Sequence, residues 1–314
     1  MIKYYFHRIK LELKFQLAKR RSNSFAHELQ RVKNQPFYIV SAGRSGSTLL
    51  RRLLMAGGEI HIPPESDDFQ VKIFLQHLEQ SEMTWPMQCQ ELSELYDKSG
   101  LNKFWGISRN EYYQYLLSTP VQEQTLYSKI WSLHHLHAQN NAAQHKRVAD
   151  KTPLLVEWMP WLHLVNSNVI FIFLIRDIRD VIASRMKYFN ESPEKAFRRY
   201  YTAMRAAEKF KELQPSHFLQ IRYEDLVYNT KDILSQLCNR TGLLYSDDML
   251  TDPLQKLGDD HLPHHTEVHL PVSDKGIGRW KDQLDENSLK KIYELVESKK
   301  LDKNTIFFNR ADVN

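Results

Sequence analysis

Apolar residues along this chain fall into short unbroken runs separated by amphipathic stretches. "PFYIVSA" (Pro36–Ala42) and "NVIFIFLIRD" (Asn168–Asp177) read as strands, and the continuous run from Val169 to Ile175 suits a central strand covered on both faces. "KRVADK" (Lys146–Lys151) and "HFLQIRYED" (His217–Asp225) supply two further strand candidates. "STLLRRLLMAGG" switches to helical spacing and stops at Gly57 and Gly58. From Asp67 to Gln144 the pattern is mostly helical and aromatic, as in "EYYQYLLSTPVQEQTLYSKIWSLHHLHAQ", and reads as an insertion that shapes a ligand pocket. The expected architecture is α/β, a three-layer sandwich with a central parallel sheet. It would occupy residues 35–314, behind a separate arm of residues 1–34.

That arm changes the charge picture. Residues 1–36 hold nine lysines and arginines against Glu12 and Glu28, so a net +7 sits there within a whole-chain charge of +5. Ile2, Phe6, Ile9, Leu13 and Leu17 line one helical face. Such a helix suits an anionic membrane or a partner, through residues 1–21, or packing on its own domain. Nucleic acid is disfavoured, because no other basic stripe with interleaved aromatics follows. The sequence holds no apolar run of membrane-spanning length and opens without a signal-peptide pattern. Its two cysteines, Cys89 and Cys238, form no framework. The expected location is the cytoplasm, or the cytoplasmic face of a membrane.

The chemistry begins in "YIVSAGRSGSTLLRRLL" (Tyr38–Leu54), where a strand passes through a glycine and serine turn into a helix. Unsatisfied N–H groups at a helix start carry partial positive charge, and glycine lets an oxyanion approach the backbone. The turn is P-loop-like, yet G-x-x-x-x-G-K-S/T would need glycine and lysine where Ser41 and Ser47 stand. The positive side chain is at Arg44 instead. On the turn alone, an ordinary serine-capped helix is the alternative.

"SAGRSGSTLL" resembles the 5′-phosphosulfate loop of sulfotransferases that use 3′-phosphoadenosine-5′-phosphosulfate (PAPS), and "LIRDIRDVIASRMKYF" resembles their 3′-phosphate motif through Arg176 and Ser184. Two motifs in order, each at a strand-to-helix turn, make the pattern specific. The resemblance extends over most of residues 36–285 and implies a P-loop NTPase-like sulfotransferase fold. "RYEDLV" then places Tyr223 near an adenine, and "DKTP" places Lys151 as a catalytic cation. "SDKGIGRWKDQL" is similar to the C-terminal loop that closes over the nucleotide, with Lys275 and Gly276 as 3′-phosphate ligands. That loop has one residue fewer between its glycines than the common cytosolic form and lacks the arginine before the lysine. The implied nucleotide contacts are Arg44, Ser45, Gly46, Ser47, Thr48, Arg176, Ser184, Tyr223, Lys275 and Gly276, with Trp280 as a packing anchor.

Sulfuryl transfer to a hydroxyl needs a base. In tyrosylprotein sulfotransferases a glutamate follows the loop arginine by 21 positions, and that count from Arg44 lands on Glu65 in "HIPPES". His61 is the runner-up. The implied reaction is in-line displacement on PAPS, releasing PAP, with Glu65 as base and with Lys151 and Arg44 neutralising the leaving oxygen. No metal is required, and neither "HHLH" (His134, His135, His137) nor the histidines of "DDHLPHHTEVHL" (His261, His264, His265, His269) match a metal-site pattern. The acceptor expected is a carbohydrate or other hydroxyl-bearing metabolite, with peptide tyrosine as an alternative. Two other classes stand beside it: a P-loop kinase, which lacks its phosphate-binding lysine here, and a non-catalytic adaptor using the basic arm.

Overall fold

Strand β5 (Ile170–Ile175) is the longest apolar run and lies inside a four-stranded sheet. The structure, a computed structural model, describes residues 36–80, 82–143, 146–251 and 270–308. The basic arm and the histidine segment at 261–269 lie outside these residues. The described residues divide into two compact units, one built from 36–67, 146–157, 170–251 and 270–308, the other from 68–80, 82–143 and 158–169.

The first unit carries the sheet, in the order β4 (Asp150–Lys151), β1 (Phe37–Ser41), β5, β6 (Phe218–Arg222), with every neighbouring pair parallel. Alternation sends side chains to two covered faces. On one face Phe37, Ile39, Ile172, Leu174 and Ile221 pack with Leu50, Leu53 and Leu54 of the helix Ser47–Ala56 and with Leu234 and Leu237 of the helix Thr230–Thr241. On the other, Tyr38 stacks on Phe171 at 5.2 Å and Phe171 meets Phe210 of the helix Pro193–Leu213 edge-on at 5.0 Å. The result is an α/β fold with a central parallel sheet, as the apolar runs predicted.

"KRVADK" is a correction. It does not form one strand but two short ones, β3 (Arg147–Val148) pairing with β2 (Ile60–His61) in a separate two-stranded sheet, and β4 pairing with β1. Ala149 falls between them in the core, fully buried. The split moves Asp150 and Lys151 to the edge of the main sheet, both buried.

The second unit is helical. Its longest helices are Trp85–Ser99 and Leu126–Asn140, and Ser108 caps Arg109–Leu117 with a capping box to Glu111. The core is aromatic: Tyr96 and Tyr112 lie 5.0 Å apart, and the Tyr112 hydroxyl is 2.7 Å from that of Ser132. His134 packs edge-on against Trp105 and Trp131, which gives it a core role. No helix among the described residues is long and apolar enough to cross a membrane.

Candidate active site

At the carboxyl end of β1 the chain turns through Ala42–Gly46 into the helix Ser47–Ala56. Gly43, Arg44 and Gly46 adopt φ angles of 78°, 60° and 87°, a region open to glycine and strained for arginine by roughly 1–2 kcal/mol. The helix N-cap is Gly46, with no side-chain cap, so the serine-capped reading does not apply. Ser45 is buried, and its hydroxyl donates to the Gly43 carbonyl at 3.3 Å, bracing the turn.

Gly46 is where the turn meets Tyr223. A Cβ there would lie 2.3 Å from the tyrosine ring, and one on Gly276 would lie 2.3 Å from its hydroxyl. Absent side chains at both positions let the ring sit against two stretches of backbone. Gly46→Ala should therefore lower the unfolding midpoint by several degrees, through about 1–3 kcal/mol of backbone strain plus displacement of Tyr223. Gly58→Ala, with φ 82° but open space around it, is the control in the same thermal melt and should cost less.

Arg176 ends β5 and organises the site. One terminal nitrogen donates to the Arg44 carbonyl at 3.0 Å, the other to the Gly276 carbonyl, and the guanidinium lies 4.4 Å from the Tyr223 ring centroid. Its Nε is buried with no hydrogen-bond partner. Arg44 donates through Nε to the Ser184 hydroxyl at 3.0 Å, so the serine meets Arg44 rather than Arg176. Burial, and then the neighbouring Arg176 guanidinium, pull Arg44 down to about 10. Two guanidiniums that repel one another in a largely buried setting favour an anion beside them.

Glu65 follows two prolines on a turn pinned to β4. The Ser66 hydroxyl donates to Asp150 at 2.7 Å, and the Ser66 N–H donates to the Thr152 hydroxyl at 2.9 Å. The clamp delivers Glu65 to Lys151, whose Nζ is 2.7 Å from Oε1 while its side chain is wholly buried. His61, in β2, is buried and is not among the residues that line the cavity.

That cavity, of about 520 Å³, is lined by Gly46, Ser47, Thr48, Arg176, Tyr223, Lys275 and Gly276 together with Glu65, Pro153, Leu154, Arg185, Phe189, Glu191 and Arg199. Lys151, Ser45 and Ser184 stand behind this lining. The C-terminal wall is tied down by Asp180, which accepts the N–H groups of Gly278 and Trp280 at 2.8 and 2.9 Å. Burial pushes the Asp180 carboxyl up even so. Arg179 forms a close pair with Asp177, and its guanidinium stacks 4.1 Å from the Trp280 ring centroid. The Phe308 N–H also reaches Asp177, at 2.9 Å.

Sequence reasoning missed Asp180 and the trio Arg185, Glu191 and Arg199. Asp180 had a usable signal, lying one helical turn beyond Arg176 in "RDIRD". Among the described residues no three histidine, cysteine or acidic side chains converge as a metal site.

Three comparisons bear on this arrangement. The domain family described as "Sulfotransferase family" matches residues 36–247. The sulfotransferase domain of the Synechococcus PCC 7002 olefin synthase superposes with a TM-score of 0.58 at 20% identity, covering 87% of this chain and 98% of that one. The sulfotransferase domain of the curacin biosynthetic pathway gives 0.53 at 20% identity, covering 84% and 99%. Both likenesses speak to the fold. A Caenorhabditis briggsae protein named "Putative protein-tyrosine sulfotransferase" is 25% identical over 158 residues, 46% of this chain. The chain spans just over half of that curated relative, 56% of its length. With a family match running from the first strand of the sheet past its last, over two thirds of the sequence, the chain belongs to the sulfotransferase family.

Proposed function

We propose that the chain transfers the sulfuryl group of PAPS to a hydroxyl of a carbohydrate or other small metabolite and releases PAP. The observation that carries this reading is the single cavity lined by a glycine turn at a helix start, by Arg44 and Arg176, and by Glu65. The residues fit a nucleotide bearing two phosphate sites. Arg176 holds a buried Nε with no partner, and Tyr223 lies flat against glycine backbone beside it. The positive φ angles at Gly43, Arg44 and Gly46 support the P-loop-like reading of the turn.

PAPS supplies, when bound, a sulfuryl group on a phosphosulfate anhydride. The backbone of Ser45–Thr48 binds that end, while Arg176, with Lys275 and Gly276, binds the 3′-phosphate. Glu65 takes the proton from the acceptor hydroxyl, a step worth a factor of about 10²–10⁴. Lys151 fixes the Glu65 carboxylate from beneath, and its charge together with that of Arg44 offsets the charge left on the departing oxygen. Cys89 and Cys238, free and buried, fit the reducing compartment we propose for the protein.

Thermal unfolding with PAP, against ADP plus magnesium at equal concentration, tests the reading. PAP at 100 times its dissociation constant should stabilise by about 2.7 kcal/mol and raise the midpoint by several degrees. A shift with ADP and magnesium but none with PAP would hand the site to a kinase. A second reading, peptide tyrosine as acceptor, is favoured by the spacing from Arg44 to Glu65 and by the name of the C. briggsae relative.

A further inference from the structure

The cavity holds more positive charge than the proposed reaction uses. Glu191, buried in the first unit, takes three cations: Arg185 Nε at 2.6 Å on one oxygen, Arg199 Nε at 3.1 Å and Lys195 Nζ at 3.4 Å on the other. Of these, Arg185 and Arg199 line the cavity with Glu191 while Lys195 does not, so the trio that lines it carries a surplus of one. The way they bind matters as much as the count. Arg185 donates to Glu191 through Nε and does not take it with the terminal fork that guanidinium ordinarily presents to a carboxylate, while Arg199 pairs with it by charge, its nearest nitrogen being Nε.

Both forks therefore remain for another anion. The Arg185 side chain is only 9% exposed, lines the cavity, and donates through Nε alone among the described residues. Its terminal nitrogen lies against Gly43, where an added Cβ would come within 3.2 Å. Arg199 lines the same wall. Holding the Arg185 guanidinium by Nε on a buried carboxylate fixes its plane in advance, so little of its side-chain freedom is lost when a second carboxylate arrives. Phe189 and Leu154, 46% and 48% exposed, add apolar surface to the cavity.

We propose that Arg185 and Arg199, oriented by Glu191, form a subsite for a carboxylate on the acceptor, so that the molecule sulfated is a small hydroxy acid. The proposal rests on the sulfotransferase reading, which assigns the phosphosulfate to Ser45–Thr48 and the 3′-phosphate to Arg176 and gives these two guanidiniums no part of the nucleotide to bind. Glu65 and Arg44 line the same cavity, so one acceptor can meet both the base and this subsite.

The test separates the two readings. The full chain saturated with PAP is melted with matched pairs: hydroxyaryl and hydroxyalkyl carboxylates against their primary amides, and a uronic acid against its parent hexose. The expected result is that at least one acid binds ten-fold or more tightly than its neutral partner, and that Arg199→Gln and Arg185→Gln each reduce that ratio toward one. The shift produced by PAP alone should be unchanged in Arg199→Gln, a position whose side chain is 43% exposed. Equal binding of every acid and its neutral partner would overturn the proposal, as would binding of an acidic tyrosine peptide with none of the small acids. Loss of the PAP shift in Arg199→Gln would also overturn it, by assigning the cluster to the nucleotide. Failure of PAP to shift the wild-type chain would instead remove the sulfotransferase reading itself.

Discussion

Lys151→Met should lower kcat by about 10²–10³-fold while leaving the PAP-induced rise in unfolding midpoint in place, because it removes a fixed cation and keeps the volume. Lys151 is wholly buried, with Nζ 2.7 Å from Glu65, so its charge cannot be replaced by a mobile neighbour. The stability cost should be modest, since the Glu65 side chain is 39% exposed and water can solvate the carboxylate once its partner is gone. Glu65→Gln should give a loss of similar size, by removing the base. If the two act as a unit, the double variant should be little worse than either single one. Steady-state turnover at saturating PAPS, paired with melts in PAP, reads all three. Near-normal kcat in Lys151→Met would remove it from the reaction.

Arg176→Ala should act on binding first. The side chain ties the Arg44 and Gly276 carbonyls together and stacks on Tyr223, and its partnerless Nε is placed for a phosphate oxygen. Hydrogen bonds to a charged group are worth about 1.5–3 kcal/mol, so the KM for PAPS should rise roughly ten- to a hundred-fold. The midpoint shift with PAP should shrink in step at fixed ligand concentration. Some fall in kcat is expected too, because the Arg44 backbone loses an anchor. A variant with unchanged PAP affinity and a collapsed kcat would reverse the assignment and make Arg176 part of the chemistry.

Much of this site is legible in the sequence because its parts sit at strand ends. The apolar runs at Phe37–Val40 and Val169–Ile175 locate two adjacent strands, and whatever follows them arrives at the same edge of the sheet. Arg44 and Arg176 come together for that reason. What stays hidden depends on contacts distant along the chain. Nothing local in "KRVADK" shows that Val148 pairs with one sheet and Lys151 with another, or that two charged residues there are buried. The clamp of Ser66 on Asp150 and Thr152 spans more than eighty residues. Glu191 reads as an exposed acid in a loop between helices, and its burial depends on the return of the helix Pro193–Leu213 past Arg185.

Asp180 gives the cavity a built-in reporter. The amide protons of Gly278 and Trp280 both end on this one buried carboxylate, whose own place is fixed by the helix after β5. Each can exchange with solvent deuterium only when the segment from Asp274 to Gln283 lifts away. Their exchange rates, followed as PAP is added, therefore measure in residue-level detail how often the nucleotide end of the site comes open, without any acceptor and without turnover.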